Sequence, residues 1–155
     1  MNRSDEAAVI AELYPSLRRF AGAVGQADVE PDDLVQEALL KTIAAAPLSS
    51  FDNPGAYVRR VIVNLASNRR RGLGRGRRAV ARLVAVEPVA PAYPSDLAEL
   101  LRLPPDDRAA LFLAHVERLP YSEVAAILGC TEEAARARTA RARKRLRNEL
   151  QGADQ

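Results

Sequence analysis

Between Leu119 and Leu146 the chain reads LPYSEVAAILGCTEEAARARTARARKRL, and this stretch restricts the fold more than any other. Pro120 is suited to a helix start, where its missing N–H is not needed. Val124, Ala125, Ile127 and Leu128 then form one apolar face at helical spacing. Gly129 follows, the residue that most easily takes the left-handed conformation ending a helix. Thr131 is placed to cap a second helix, and Glu132 and Glu133 suit the positive end of its dipole. In that second helix Ala135, Thr139, Ala142 and Leu146 fall on one inward stripe. Arg136, Ala137, Ala140, Arg141 and Lys144 occupy another side. The pattern predicts two helices held at a fixed angle by a short turn, so that the second can enter a DNA major groove while the first braces it.

The rest of the composition is compatible with that reading. Hydrophobic residues make up 48% of the 155, enough to build a core. Net charge is only +3, yet the basic residues are concentrated: Arg69, Arg70, Arg71, Arg75, Arg77 and Arg78 form one cluster, and Arg136, Arg138, Arg141, Arg143, Lys144, Arg145 and Arg147 another. Two cationic patches far apart in sequence predict a polyanion touched at two places. Neither is paired with the large apolar face that a membrane-surface helix requires.

Chemistry is scarce. One cysteine (Cys130) and one histidine (His115) cannot form a disulfide or an ordinary zinc site, so no metal or cofactor is expected. GLGRG follows a helical pattern rather than a strand, which removes it as a dinucleotide loop. The pairs Asp32/Asp33 and Asp106/Asp107 sit beside prolines at helix starts, where capping accounts for them. No catalytic residues are assigned. The N-terminus is acidic without a long apolar run, and no stretch nears the roughly 20 apolar residues of a membrane span, so a cytoplasmic, non-enzymatic protein is expected.

Helical periodicity runs along the chain and no strand pattern competes, giving an all-α expectation. Residues 5–23 read as helix, with Pro15 starting a second segment or kinking the first. A helix opens at Pro31, with Leu34, Ala38, Ile43 and their neighbours on its buried side. After a loop at residues 47–54, another helix runs from about Gly55 to Arg71 and ends near Gly72 in a flexible Gly/Arg tract, a helical continuation into Ala79–Val86 being the alternative. Residues 87–95, EPVAPAYPS, have the composition of a linker. The organisation is two small helical domains, 1–78 and 97–149, joined by a linker at 79–96 and followed by a tail at 150–155.

At this point the residues resemble a known family. DDLVQEALLKT (Asp32–Thr42), NPGAYVRRVIVNLASNRRR (Asn53–Arg71) and the segment from LPPDDRAALF to ARKRL, in that order, resemble the extracytoplasmic-function sigma factors, the short sigma-70 type with only regions 2 and 4. The resemblance implies a promoter-specificity subunit of bacterial RNA polymerase, with core polymerase and promoter DNA as partners and an anti-sigma factor as a further one. A stand-alone helix-turn-helix regulator is the alternative.

The resemblance also assigns roles. Asp33, Gln36 and Glu37 would meet a basic polymerase surface. Asn64 would lie near the extruded −10 base, where an amide can both donate and accept. Asn68, Arg59, Arg60, Arg69, Arg70 and Arg71 would accompany it, the arginines on phosphates, and Ser49–Gly55 would form the base-pocket loop. Tyr57, where the family often carries Trp, would either pack inside, the expected place, or stack on DNA. At the −35 element, Arg136 and Arg141 would face bases with Ala137 and Ala140 beside them, while Arg138 and Lys144 grip the backbone. The chain departs from the family's usual Gly-Thr-Val and following aliphatic residue, having Glu133-Ala134-Ala135 and Thr139. Smaller residues at buried sites would cost packing on the order of 1–3 kcal/mol each, so the isolated C-terminal domain is expected to bind DNA weakly.

Overall fold

A computed structural model describes residues 3–26, 28–84 and 102–153. Among the described residues it contains six α-helices and no strands, as the periodicity requires. Helix α1 spans Arg3–Val24, α2 Pro31–Ala45 and α3 Pro54–Val84, with a short 3-10 turn at Leu48–Ser50 before α3. Helix α4 (Pro105–Leu111) runs into one π-helical turn, Phe112–Val116. Helix α5 (Tyr121–Leu128) and helix α6 (Glu132–Ala153) complete the chain.

Several local expectations are met in detail. Gly129 closes α5 with φ +71°. The Thr131 hydroxyl accepts the Ala134 N–H at 3.1 Å, capping α6. Pro120 sits one position ahead of α5 in extended backbone, supplying its carbonyl to the first turn. Three of the four positions on the inward stripe of α6, Ala135, Thr139 and Ala142, are buried, and Leu146 is half-buried. The Thr139 hydroxyl donates to the Ala135 carbonyl at 2.8 Å, so no hydrogen-bonding group is left dry where the family carries an aliphatic side chain.

Four expectations need correcting. Helix α1 passes through Pro15 as one helix and starts no second segment there, because Leu17, Phe20, Ala21 and Val24 lock its second half into the core. On α2 the buried stripe is Leu34, Val35, Ala38, Leu39 and Thr42. Ile43 turns outward at 38% exposure, while the Thr42 hydroxyl donates to the Ala38 carbonyl and takes the inside position. Helix α3 does not stop at Gly72 but continues to Val84. A glycine costs a helix about 1 kcal/mol, yet the Arg, Ala and Leu interleaved with the three glycines are strong helix formers. Residues 79–84, assigned to the linker, therefore belong to α3, and the remainder of that linker lies outside the described residues. Likewise residues 150–153 extend α6 rather than forming a tail.

The two halves of the chain share one core. Leu17, Phe20, Val24, Leu34, Val58 and Ile62 cluster with Ala109, Leu113, Val124, Ala125, Ile127 and Ala135. Phe20 of α1 and Phe112 of the π-turn bring their ring centroids to 6.0 Å at a tilt of 57°, a favourable aromatic arrangement. At this seam lies Arg108, only 2% exposed. Its guanidinium donates to the carbonyls of Val24 (2.8 Å) and Gly25 (3.0 Å), the end of α1 where unpaired carbonyls and the negative pole of the helix collect. Burial, with the nearby Arg70 charge, pushes its pKa down to about 10, which leaves it charged at neutral pH.

Candidate nucleic-acid interface

Three surfaces carry the residues singled out in the sequence. The first is α2. Pro31 starts the helix and places Asp32 and Asp33 in its first turn. Asp32 faces α1 at the surface, accepting from the Tyr14 hydroxyl at 2.8 Å and pairing with Arg18 at 3.1 Å. Burial and the Asp32 hydrogen bond raise the Tyr14 pKa above its ordinary value. Asp33 and Gln36 are exposed, Gln36 one turn on from Asp32 and also bonded to Tyr14, with Leu40 at 70% exposure a further turn on. Glu37 stands at the edge of this face and pairs with Arg69 of α3.

The second surface is α3 and the loop before it. Asn53 caps the helix, its Oδ1 accepting the Ala56 N–H at 3.1 Å, and Pro54 occupies the first helical position. Tyr57 does not enter the core. It is 36% exposed and lies against Phe51, ring centroids 4.3 Å apart and planes 32° from parallel. The loop thus presents an aromatic pair that Tyr57 alone did not reveal. Asn64 and Asn68 are exposed on the same helix, while Val58, Ile62, Val63, Leu65 and Ala66 are buried.

The arginines of this face are not all free. Arg59 lies over the Phe20 ring, donates to Ser16 Oγ at 3.3 Å and meets Glu117 at 3.5 Å. Arg60 is exposed but runs under the α5–α6 turn, where a Cβ on Gly129 would come within 3.0 Å of its Nη2. Arg70 donates to the Arg102 carbonyl at 3.0 Å. The Arg71 side chain lies outside the described residues. Gly129→Ala should therefore destabilise the chain by about 1–2 kcal/mol from its left-handed backbone alone, with further loss if Arg60 is displaced; urea denaturation of the two proteins measures it.

The third surface is α6. Ala137, Ala140, Arg141 and Lys144 are all exposed, forming a strip opposite the buried Ala135–Thr139–Ala142 stripe. Arg136 is exposed, pairs with Glu132 at 3.2 Å and stands over the Tyr121 ring at 5.0 Å. Arg138 departs from the others. Its Nη1 donates to Asp106 Oδ2 at 3.0 Å, and Asp106 Oδ1 accepts from Ser67 of α3 at 3.1 Å. Asp106 and Glu117 are the residues that sequence reasoning missed here. Capping describes the position of Asp106, but the partners of the two acids lie 32 to 58 residues away, and no local spacing marks them.

Comparison with known proteins places this arrangement. Residues 9–76 match Sigma-70 region 2, and residues 97–146 match Sigma-70, region 4. The chain is 36% identical over 148 residues to the ECF RNA polymerase sigma factor EcfG of Rhodopseudomonas palustris, covering 88% of this chain and 80% of that protein. It is 31% identical over 160 residues to the ECF RNA polymerase sigma factor SigJ of Mycobacterium tuberculosis, covering 93% of this chain but 49% of that one. The fold superposes with a TM-score of 0.72 and 28% identity on the sigma factor RpoE of Bartonella quintana, solved in complex with the anti-sigma factor NepR, covering 95% of this chain and 97% of that one. On this evidence the chain belongs to the extracytoplasmic-function sigma factors of the sigma-70 family.

Proposed function

We propose that the chain works as a dissociable promoter-specificity subunit, with the acidic face of α2 on core RNA polymerase, α3 on the −10 element and α6 on the −35 element. The observation that carries this reading is the sidedness of the two DNA-facing helices. Asn64 and Asn68 on α3, and Ala137, Ala140, Arg141 and Lys144 on α6, point away from the core that each helix helps to build. Small residues beside arginines leave room for close approach to base edges, and arginine can grip guanine bidentately. The mechanism is positional, not enzymatic: weak contacts at two elements act together because one chain carries both. Family membership favours this reading over a stand-alone helix-turn-helix regulator.

Further parts of the reading follow from the family. The site of action is the cytoplasm; no described helix is long and apolar enough to cross a membrane. An anti-sigma factor holds the chain inactive, as the relative solved with NepR suggests. The test is run-off transcription with purified core polymerase. Wild type should direct initiation from a cognate promoter, and Asn64→Ala should reduce open-complex formation about tenfold, the loss of one good base contact, while leaving polymerase binding unchanged. Transcription undiminished in Asn64→Ala would remove Asn64 from the −10 site, and failure of wild type to bind core would overturn the reading as a whole.

A further inference from the structure

Of the two arginines assigned to −35 bases, Arg141 makes no ion pair or ring contact among the described residues, whereas Arg136 is held from two sides. Glu132 stands one turn before it on α6, its Oε1 accepting from Arg136 Nη2 at 3.2 Å. Acid before base at this spacing is the favourable order on a helix. From α5, the Tyr121 ring lies 5.0 Å from the guanidinium carbon, within the distance at which a cation and an aromatic face attract. Tyr121 is half-buried and packs against the shared core, so its ring is a fixed platform. We propose that Tyr121 and Glu132 are positioning residues for −35 specificity: they hold the Arg136 guanidinium aimed at a base edge and keep it off the neighbouring phosphates.

The physical reason lies in what an unsupported arginine does beside DNA. Its long side chain has many rotamers, and a phosphate is as good a partner for the guanidinium as a base. A phosphate contact adds affinity but carries no sequence information. At 63% exposure the Arg136 side chain is open to that choice. The Glu132 carboxylate repels phosphate from the same spot, and it engages one donor of the guanidinium fork, leaving the rest of the fork for a base. The Tyr121 face limits where the fork can swing. An arginine ordered before binding also loses less freedom on binding. Glu132 thus lowers general affinity for DNA and raises discrimination, which is specificity gained by repulsion as well as attraction. The base that suits a guanidinium fork best is guanine. The assignment rests on the proposed −35 role of α6 and deepens it.

The experiment uses the full chain assembled with core polymerase. Holoenzyme selects from a pool of promoter duplexes randomised across the −35 element, and the bound fraction is sequenced. Arg136→Ala should flatten the preference at one base pair, which identifies the pair that Arg136 reads. Tyr121→Leu should reduce the preference at that same pair about two- to fivefold, the worth of a cation–π contact at an exposed site, with the other pairs unchanged. Tyr121→Phe keeps the ring and should keep the preference. Glu132→Ala should bind the whole pool more tightly yet discriminate less at that pair. Glu133→Ala removes an exposed charge from the same helix end and should leave discrimination intact. Equal loss at every pair in Tyr121→Leu would show a merely structural role and overturn the proposal, as would an Arg136→Ala profile identical to wild type. If Tyr121→Leu fails to fold by circular dichroism, Glu132→Ala against Glu133→Ala decides: selective loss in the first supports the proposal, and matching profiles overturn it. No enrichment at any pair by wild type would overturn the promoter-specificity reading and this assignment together, whereas an enriched pool indifferent to Tyr121 and Glu132 overturns the assignment alone.

Discussion

Arg108→Ala is expected to destabilise the chain by about 3–5 kcal/mol, the usual cost of removing one member of a buried charged contact. That is a large fraction of the 5–15 kcal/mol that typically separates folded from unfolded domains. Two effects add. The Val24 and Gly25 carbonyls lose their donor inside the seam, and each unsatisfied buried acceptor costs about 1–3 kcal/mol. Removing the largest fully buried side chain also leaves a void between α1 and α4. Arg108→Lys keeps the charge but cannot reach two diverging carbonyls with a planar fork, so it should lose roughly half as much. Urea denaturation followed by circular dichroism gives the free energies, and small-angle scattering shows whether the halves part before either unfolds. A loss below about 1 kcal/mol for Arg108→Ala would mean that the guanidinium is hydrated in solution and that the seam is open there.

The second large effect is expected at Asp33. Asp33→Arg should weaken binding to core polymerase by on the order of 10²-fold, since breaking one side of an interfacial charge pair costs about 2–5 kcal/mol. Thermal stability and binding to duplex DNA should be little changed. The structure makes Asp33 the cleaner probe of the α2 face. It is exposed in the first turn, whereas Glu37 also holds Arg69 of α3. Reversing Glu37 would release a cation assigned to the −10 element and place two like charges together, mixing polymerase binding with DNA binding. Calorimetry or a competition assay with core enzyme separates the two sites. Unchanged affinity in Asp33→Arg would remove this face from the polymerase interface.

What could be read from the sequence was local. The α5–α6 turn was legible because Gly129, Thr131 and the apolar positions around them act within four residues of one another. The buried stripe of α6 was legible for the same reason, down to Thr139, whose hydroxyl is satisfied by a carbonyl one turn back. The order of the three motif segments carried the family. Illegible were the features set by partners far along the chain. Arg108 looks like any charge in the first turn or two of a helix until Val24 is known to lie beside it. Asp106 reads as a helix-start acid, which it is, yet its ties to Ser67 and Arg138 are tertiary. The continuation of α3 beyond Gly72 opposed a strong local cue, because glycine marks helix ends more often than it is tolerated inside them. Thr42 is buried beside the exposed Ile43 because a hydroxyl that can bond its own helix is acceptable in a core, which hydrophobicity alone does not register.

The reach of Arg108 also has a consequence for how the protein is made. The residue that closes the end of α1 follows Val24 by 84 positions. At about 5–20 residues per second of synthesis, α1 waits roughly 4 to 17 s for its last hydrogen-bond donor. Until then its terminal carbonyls, and Phe20 beneath them, face water or a chaperone. The N-terminal half therefore emerges with an unfinished edge that only its own C-terminal half can finish. A nascent chain stalled before residue 108 should be markedly more sensitive to protease around Val24 than the completed protein.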